Sequence, residues 1–336
     1  MRTATRLTTL PASLLLAAGL SSPARAAAPA PSPVAETLEA PGGWTAERMR
    51  RAEANPRDMP ERTARAEAAK PKPKQVPAIT KAVVAKGHRK APLKQIGRLY
   101  ITGEDGRVAT CTGTVVNSAY PERGRGNGSV LLTAAHCLQD PADGWNARSL
   151  VFAPDLDRTA TPHGLWSGYR TLMWSPWAEN ADPSFDYAFV ALFKRSSGTI
   201  QQTTNGQSMR FGMKKPKTWL RLYGYAVQHY PRNQNYPDEG TVLRMCKGRT
   251  STATLGGDRF STLKCDMSHG ASGGPLIADL KKSGYGRIVG VTSFRKQGAA
   301  RLYSPILDKW AKDLFFRIRT VRVPVQEAPQ DVVRAP

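Results

Sequence analysis

Gly270-Ala271-Ser272-Gly273-Gly274-Pro275 is the stretch that decides the reading of this 336-residue chain. It places a small nucleophile in a turn that few bulky side chains could follow. A serine hydroxyl is a weak nucleophile at neutral pH and needs a base within hydrogen-bond reach. The base needs a carboxylate to fix its tautomer, and a developing oxyanion needs backbone N–H donors already in position. Gly270 lets the chain aim its N–H at the point that the N–H of Ser272 faces, so Gly270 and Ser272 are the candidate oxyanion donors. The segment alone is also compatible with a glycine-serine loop that does no chemistry.

Working outward, the base is sought among five histidines. His136 ends Leu131-Leu132-Thr133-Ala134-Ala135-His136-Cys137, where an apolar strand runs into small residues beside a cysteine that can tie it down. His88 lies in a basic leader, and His163 and His229 lie in polar, turn-rich stretches. His269 adjoins the serine turn and is expected to line the substrate cleft. The carboxylate is Asp186, which opens the hydrophobic run Tyr187-Ala188-Phe189-Val190-Ala191-Leu192 and can be partly buried there. Asp182, before Pro183 in a loop, is the weaker candidate. The chain order His, Asp, Ser separates this arrangement from the subtilisin and α/β-hydrolase orders.

From about Ile96 the sequence consists of short β-type runs bounded by Gly, Pro, Asn or Asp. Strands are expected over 96–102, 111–117, 129–133, 187–193, 219–225 and 287–294, with Asn127-Gly128 as a hairpin turn. Strands do not alternate with long helical patterns, which argues against a parallel sheet. One helix is expected over Pro305–Arg319, where Ile306, Trp310, Leu314 and Phe315 recur at helical spacing. The expected architecture is therefore all-β and antiparallel, with a C-terminal helix. Residues 1–26 read as a signal peptide, with Arg2 and Arg6 before a short apolar run and Ala24-Arg25-Ala26 at its end. That run is too short to span a bilayer, and no other segment approaches the length required. Residues 27–94 read as a basic, mostly disordered pro-segment and linker, with one helix from Thr45 to Ala54 and an extended run over 70–74. Residues 95–320 form the folded domain, and 321–336 a flexible tail. After export four cysteines remain, which in an oxidising compartment imply two disulfides in one of three pairings; their spacing does not fit a zinc site.

The His136, Asp186 and Ser272 segments together resemble the chymotrypsin-fold, trypsin-like serine peptidases, most closely the secreted bacterial branch that includes the glutamyl endopeptidases. The resemblance implies two six-stranded antiparallel β-barrels with the active site between them. It also implies disulfides Cys111–Cys137 and Cys246–Cys265, and a role for Ser293 in supporting the aspartate and lining the specificity pocket. Ala271 stands where animal trypsins carry the Asp that pairs with their freed N-terminus, so that activation device is absent. Thr292 stands where glutamyl-specific members carry a His. Asp266, six residues before Ser272, occupies the offset at which trypsins place the Asp that selects Arg or Lys. A preference for basic side chains is the resulting expectation.

The implied activity is a secreted endopeptidase acting on protein or peptide substrates through an acyl-enzyme, with no metal and no cofactor. The net charge of +23 is spread unevenly, with much of it before residue 95, and admits weak association of that basic segment with anionic cell-surface polymers. The basic residues lack an aromatic stacking pattern, which argues against specific nucleic-acid binding. A non-catalytic binding protein on the same fold and an esterase are the rival readings.

Overall fold

The computed structural model describes residues 30–41, 43–59, 78–119, 126–212, 218–232, 234–296 and 298–326. The expected signal peptide, the run over 70–74 and the last ten residues of the tail lie outside them.

In the N-terminal half, runs rich in Val, Leu, Ile and Thr become strands that close on themselves. The ring runs Trp166–Trp174, Ala188–Leu192, Val130–Thr133, Val108–Val115, Ile96–Gly103 and Trp145–Pro154, then back to Trp166 and Ser167. All pairings in it are antiparallel, so this half is a six-stranded barrel. Its interior is filled by aliphatic and aromatic side chains such as Leu99, Ile101, Leu131, Phe152 and Val190, while Tyr100 and Phe189 on the opposite face pack against Trp44 and Phe315 outside the ring.

In the C-terminal half, two strands change sheet partway along. Arg244–Arg249 pairs with Trp219–Gly224, and beyond Thr250 the continuation Ser251–Leu255 pairs with Asp258–Lys264. The run expected over 287–294 is likewise broken at Thr292–Ser293. Arg287–Val291 pairs with Pro275–Ala278, and Phe294–Arg295 pairs with Arg301–Pro305. With Asp258–Lys264 against Arg301–Pro305, and Pro275–Ala278 against Trp219–Gly224, these segments follow one another in a ring. A strand that splits in this way leaves backbone free at the break, and the second break faces the serine turn.

The leader departs from the expectation of disorder in its described parts. Pro33–Thr37 pairs antiparallel with Trp166–Trp174, and Val83–Val84 pairs with Arg244–Met245. The physical reason is that neither strand builds a core of its own. Each completes an edge that would otherwise expose unpaired backbone. The helix Ala46–Glu53 forms as expected, capped by the Thr45 hydroxyl, which accepts from the Arg48 N–H at 3.1 Å. At the other end, residues 321–326 are tied rather than loose: Lys194 N–H donates to Pro324 O and Gln326 N–H to Lys194 O.

The last helix spans Lys309–Ile318, four residues later than expected at its start. Arg301–Pro305 is claimed by the sheet, and Asp308 caps the helix by accepting from the N–H groups of Trp310 and Ala311. Ala311, Leu314, Phe315 and Ile318 are buried, with Phe315 against Phe189 and Trp310 against Trp174. The Asn127 side-chain amide donates to the carbonyls of Ile318 and Val321, fixing the helix C-terminus to the first barrel.

Deleting the buried Leu314 side chain leaves a cavity. Leu314→Ala is expected to lower unfolding free energy by about 3 kcal/mol in denaturant titration. Phe316→Ala, on the half-exposed side of the same helix, should change it by less than about 0.5 kcal/mol.

Candidate active site

His136 sits on the single turn Ala135–Cys137 that follows the strand Val130–Thr133. Cys137 is bonded to Cys111 on the neighbouring strand, and the second disulfide joins Cys246 to Cys265. Asp186 ends the turn Pro183–Phe185 and leads into Ala188–Leu192, whose Ala188 is in register with Thr133. Adjacent strands therefore deliver His136 and Asp186 to one place.

Asp186 holds the histidine by two hydrogen bonds. Its Oδ1 accepts from the His136 backbone N–H at 2.9 Å, and its Oδ2 pairs with the ring Nδ1 at 2.8 Å. The Ser293 hydroxyl, from the break in the second barrel, donates to the same Oδ2. Both residues are fully buried. Burial pulls the His136 pKa down, but the charge and hydrogen bond of Asp186, with the charges of Asp58 and Asp140, outweigh it and raise the pKa above the ordinary histidine value. Nδ1 is thus engaged, while Nε2 has no hydrogen-bond partner among the described residues.

The serine turn packs directly on the strand end that carries His136. At Gly273 the backbone takes φ +79°, and an added Cβ would lie 2.1 Å from Thr133 Oγ1 and 2.2 Å from Thr112 O. Only glycine allows that approach. Gly270 also has positive φ, at +87°. The N–H groups of Gly270 and Ser272 have no acceptor among the described residues. Paired donors left open beside a hydroxyl form a pocket for a developing negative charge.

Thr112 clamps this turn, and nothing in its sequence context marked it. Its hydroxyl donates to Gly270 O and accepts from Tyr225 N–H, each at 2.9 Å, and its N–H donates to Ser272 O at 2.8 Å. One first-barrel residue therefore fixes both ends of the candidate oxyanion pocket.

The expected specificity residues are differently employed. Thr292 joins its backbone to the serine turn, exchanging hydrogen bonds with Gly273 and Gly274. Asp266 is buried, and its Oδ1 already accepts from Ala82 N–H at 2.7 Å and Tyr236 OH at 3.3 Å. Arg295 spans from its strand to the facing loop, donating to the carbonyls of Cys265, Met267 and Ala299. Burial lowers the Arg295 pKa to about 10, against the charges of Asp58 and Asp266, which raise it. His269 lies beside the turn as expected, but its Nδ1 is bonded to Asp58 of the leader at 2.8 Å. Sequence reading missed Arg295 and Asp58, since a basic residue after a strand and an acidic one in a basic leader are ordinary surface features.

The family model described as "Trypsin-like peptidase domain" matches residues 111–291. An extracellular metalloprotease of Bacillus subtilis (strain 168) is 28% identical over 102 residues, 29% of this chain and 29% of that protein's own length. Among solved structures, the protease Anisep from Arthrobacter nicotinovorans superposes with a TM-score of 0.58 at 22% identity, covering 70% of this chain and 99% of that one. The thermostable serine protease AL20 from an extremophilic microorganism gives 0.58 at 25% identity, covering 68% and 99%. A Glu endopeptidase gives 0.56 at 17%, covering 73% and 99%.

Two outcomes follow from this geometry. Thr112→Val removes the clamp's hydroxyl but keeps its volume, and should lower kcat roughly tenfold with little change in KM, whereas Thr112→Ser should restore the rate. The raised His136 pKa sets the acid limb of the pH profile, because only neutral imidazole can accept a proton. Values of kcat/KM should therefore fall, as pH is lowered, through a midpoint above the ordinary histidine value of about 6.5.

Proposed function

The chain belongs to the trypsin-like peptidase family, and we propose that it is a secreted serine endopeptidase in which Ser272, His136 and Asp186 form the catalytic triad. The observation that carries this reading is the buried His136–Asp186 pair, with Nδ1 engaged and Nε2 open, beside a serine turn packed against the same strand end.

In this mechanism Ser272 Oγ attacks the peptide carbonyl while His136 Nε2 takes its proton. Asp186 holds the ring in the tautomer that has its proton on Nδ1 and stabilises the imidazolium that results. The carbonyl oxygen becomes an oxyanion and accepts from the N–H groups of Gly270 and Ser272. Collapse of that intermediate expels the amine, which receives the proton from His136. Water, activated by the same histidine, then hydrolyses the acyl-enzyme and frees Ser272.

Export is supported by the character of residues 1–26, by two disulfides that suit an oxidising compartment, and by the similarity to an extracellular protein. Removal of the leader as a pro-segment belongs to the same proposal. Asp266 gives poor support to cleavage after Arg or Lys, because its carboxylate is engaged and faces a buried arginine. Association with anionic polymers rests on composition alone.

Digestion of a mixed peptide library, with cut sites read by mass spectrometry, tests the reading. Cleavage should drop by three or more orders of magnitude in Ser272→Ala. Equal cleavage by the two proteins would reject it.

A further inference from the structure

Trp219 is set apart from the other tryptophans. Five of those are at most 2% exposed and Trp310 packs on the core, whereas Trp219 is 55% exposed at the start of the strand Trp219–Gly224. Side chains alternate along a strand, so Leu220 and Leu222 turn into the second barrel's core with Cys246 of the neighbouring strand. Trp219 and Arg221 turn outward, in register with Arg249 and Lys247. The same face continues through Met245 to Val83, its partner on the edge strand, which is 54% exposed. One sheet face thus carries two exposed apolar side chains and three cations.

The charge on this face is not neutralised from within. Lys247 and Arg249 lie over the indole, 5.7 and 5.6 Å from its centroid. Asp279 follows Ala278, the strand partner of Leu220, and is paired with Arg210 and Arg287 instead. Among the described residues no carboxylate forms an ion pair with Arg221, Lys247 or Arg249. Such a face is drawn to an anionic surface, and its apolar side chains decide which one. A hydrated polymer or a nucleic acid pairs with the cations but gains little from the indole, whose ring Lys247 and Arg249 already cover. A bilayer uses both kinds of group. The indole seats at headgroup level by its edge, and the lysine and arginine stems lie along it while their heads reach the phosphates.

We propose that this face docks on an anionic lipid bilayer, with Trp219 and Val83 in the headgroup layer and Arg221, Lys247 and Arg249 on lipid phosphates. The same strand ends at Gly224, where an added Cβ would lie 2.9 Å from the Cβ of Ala271 in the serine turn. The serine turn is therefore about 17 Å along the strand from Trp219, and docking keeps Ser272 close to proteins held at that surface. Lipid docking is independent of whether Ser272 is the nucleophile.

The test is co-sedimentation of the full chain carrying Ser272→Ala with vesicles of phosphatidylcholine, alone or mixed equally with phosphatidylglycerol. Binding is expected to the mixed vesicles and not to the neutral ones. It should bring a blue shift of tryptophan emission, which reports Trp219 because the others are buried or packed on the core. Trp219→Ser and, separately, Lys247→Gln with Arg249→Gln should each raise the half-saturating lipid concentration at least about fivefold. Trp219→Phe, which keeps an apolar ring, should bind more tightly than Trp219→Ser. The leader is basic too, so unchanged binding by these variants would mean that charge elsewhere holds the vesicle, and would overturn the proposal. Tighter binding to a single-stranded oligonucleotide or to polyphosphate than to the mixed vesicles, lost in the same variants, would also overturn it. With Ser272 intact, the same surface variants should cleave soluble peptides at an unaltered rate. Absence of cleavage in every chain would count against the peptidase reading and leave the lipid result standing.

Discussion

The site is organised around one buried pair. Asp186 and His136 are both removed from water, a situation that is costly for charged groups unless every polar atom is matched. Here Asp186 accepts from the His136 backbone, its ring and the Ser293 hydroxyl, so three segments from two barrels must come together for one carboxylate to be satisfied. That requirement locates the break at Thr292–Ser293, because an unbroken strand would not present the Ser293 hydroxyl at this point. It also leaves Nε2 as the one ring nitrogen available for proton transfer.

The two barrels are joined at this point by more than the aspartate. Thr112, on a first-barrel strand, bonds both Gly270 and Ser272 of the second. Gly273 in turn fits where no side chain could, against Thr112 and Thr133. The candidate oxyanion donors are thus held by sheet on one side and by residues 227–228 on the other, where Val227 N–H donates to His269 O and Ser268 N–H to Gln228 O. Donors positioned before substrate arrives need no rearrangement as charge develops, which is where such sites gain most of their rate.

The parts legible in sequence were those with a local signature. His136 beside a cysteine, Asp186 opening an apolar strand and Ser272 among glycines each follow from neighbours a few residues away, and their order gave the fold class. The strands over 96–102 and 219–225 were legible for the same reason. What escaped depends on contacts between distant segments. Thr112 and Gly270 are 158 residues apart, and a threonine within a strand is an ordinary β-former. Pro33–Thr37 and Val83–Val84 are too short to build a core, with Val83 and Val84 left exposed, and they are ordered by edges that only the folded barrels provide. The start of the last helix was misplaced because Ile306 falls in phase with Trp310 although the preceding residues are held in the sheet.

The central claim is that Ser272 becomes covalently acylated during turnover. A slowly deacylating active ester, acid-quenched within the first turnover and followed by intact-mass and peptide mapping, reads this directly. The account predicts one acyl group on the peptide containing Ser272, absent in His136→Ala on the same timescale. Turnover without any adduct, or an adduct on another residue, would contradict it.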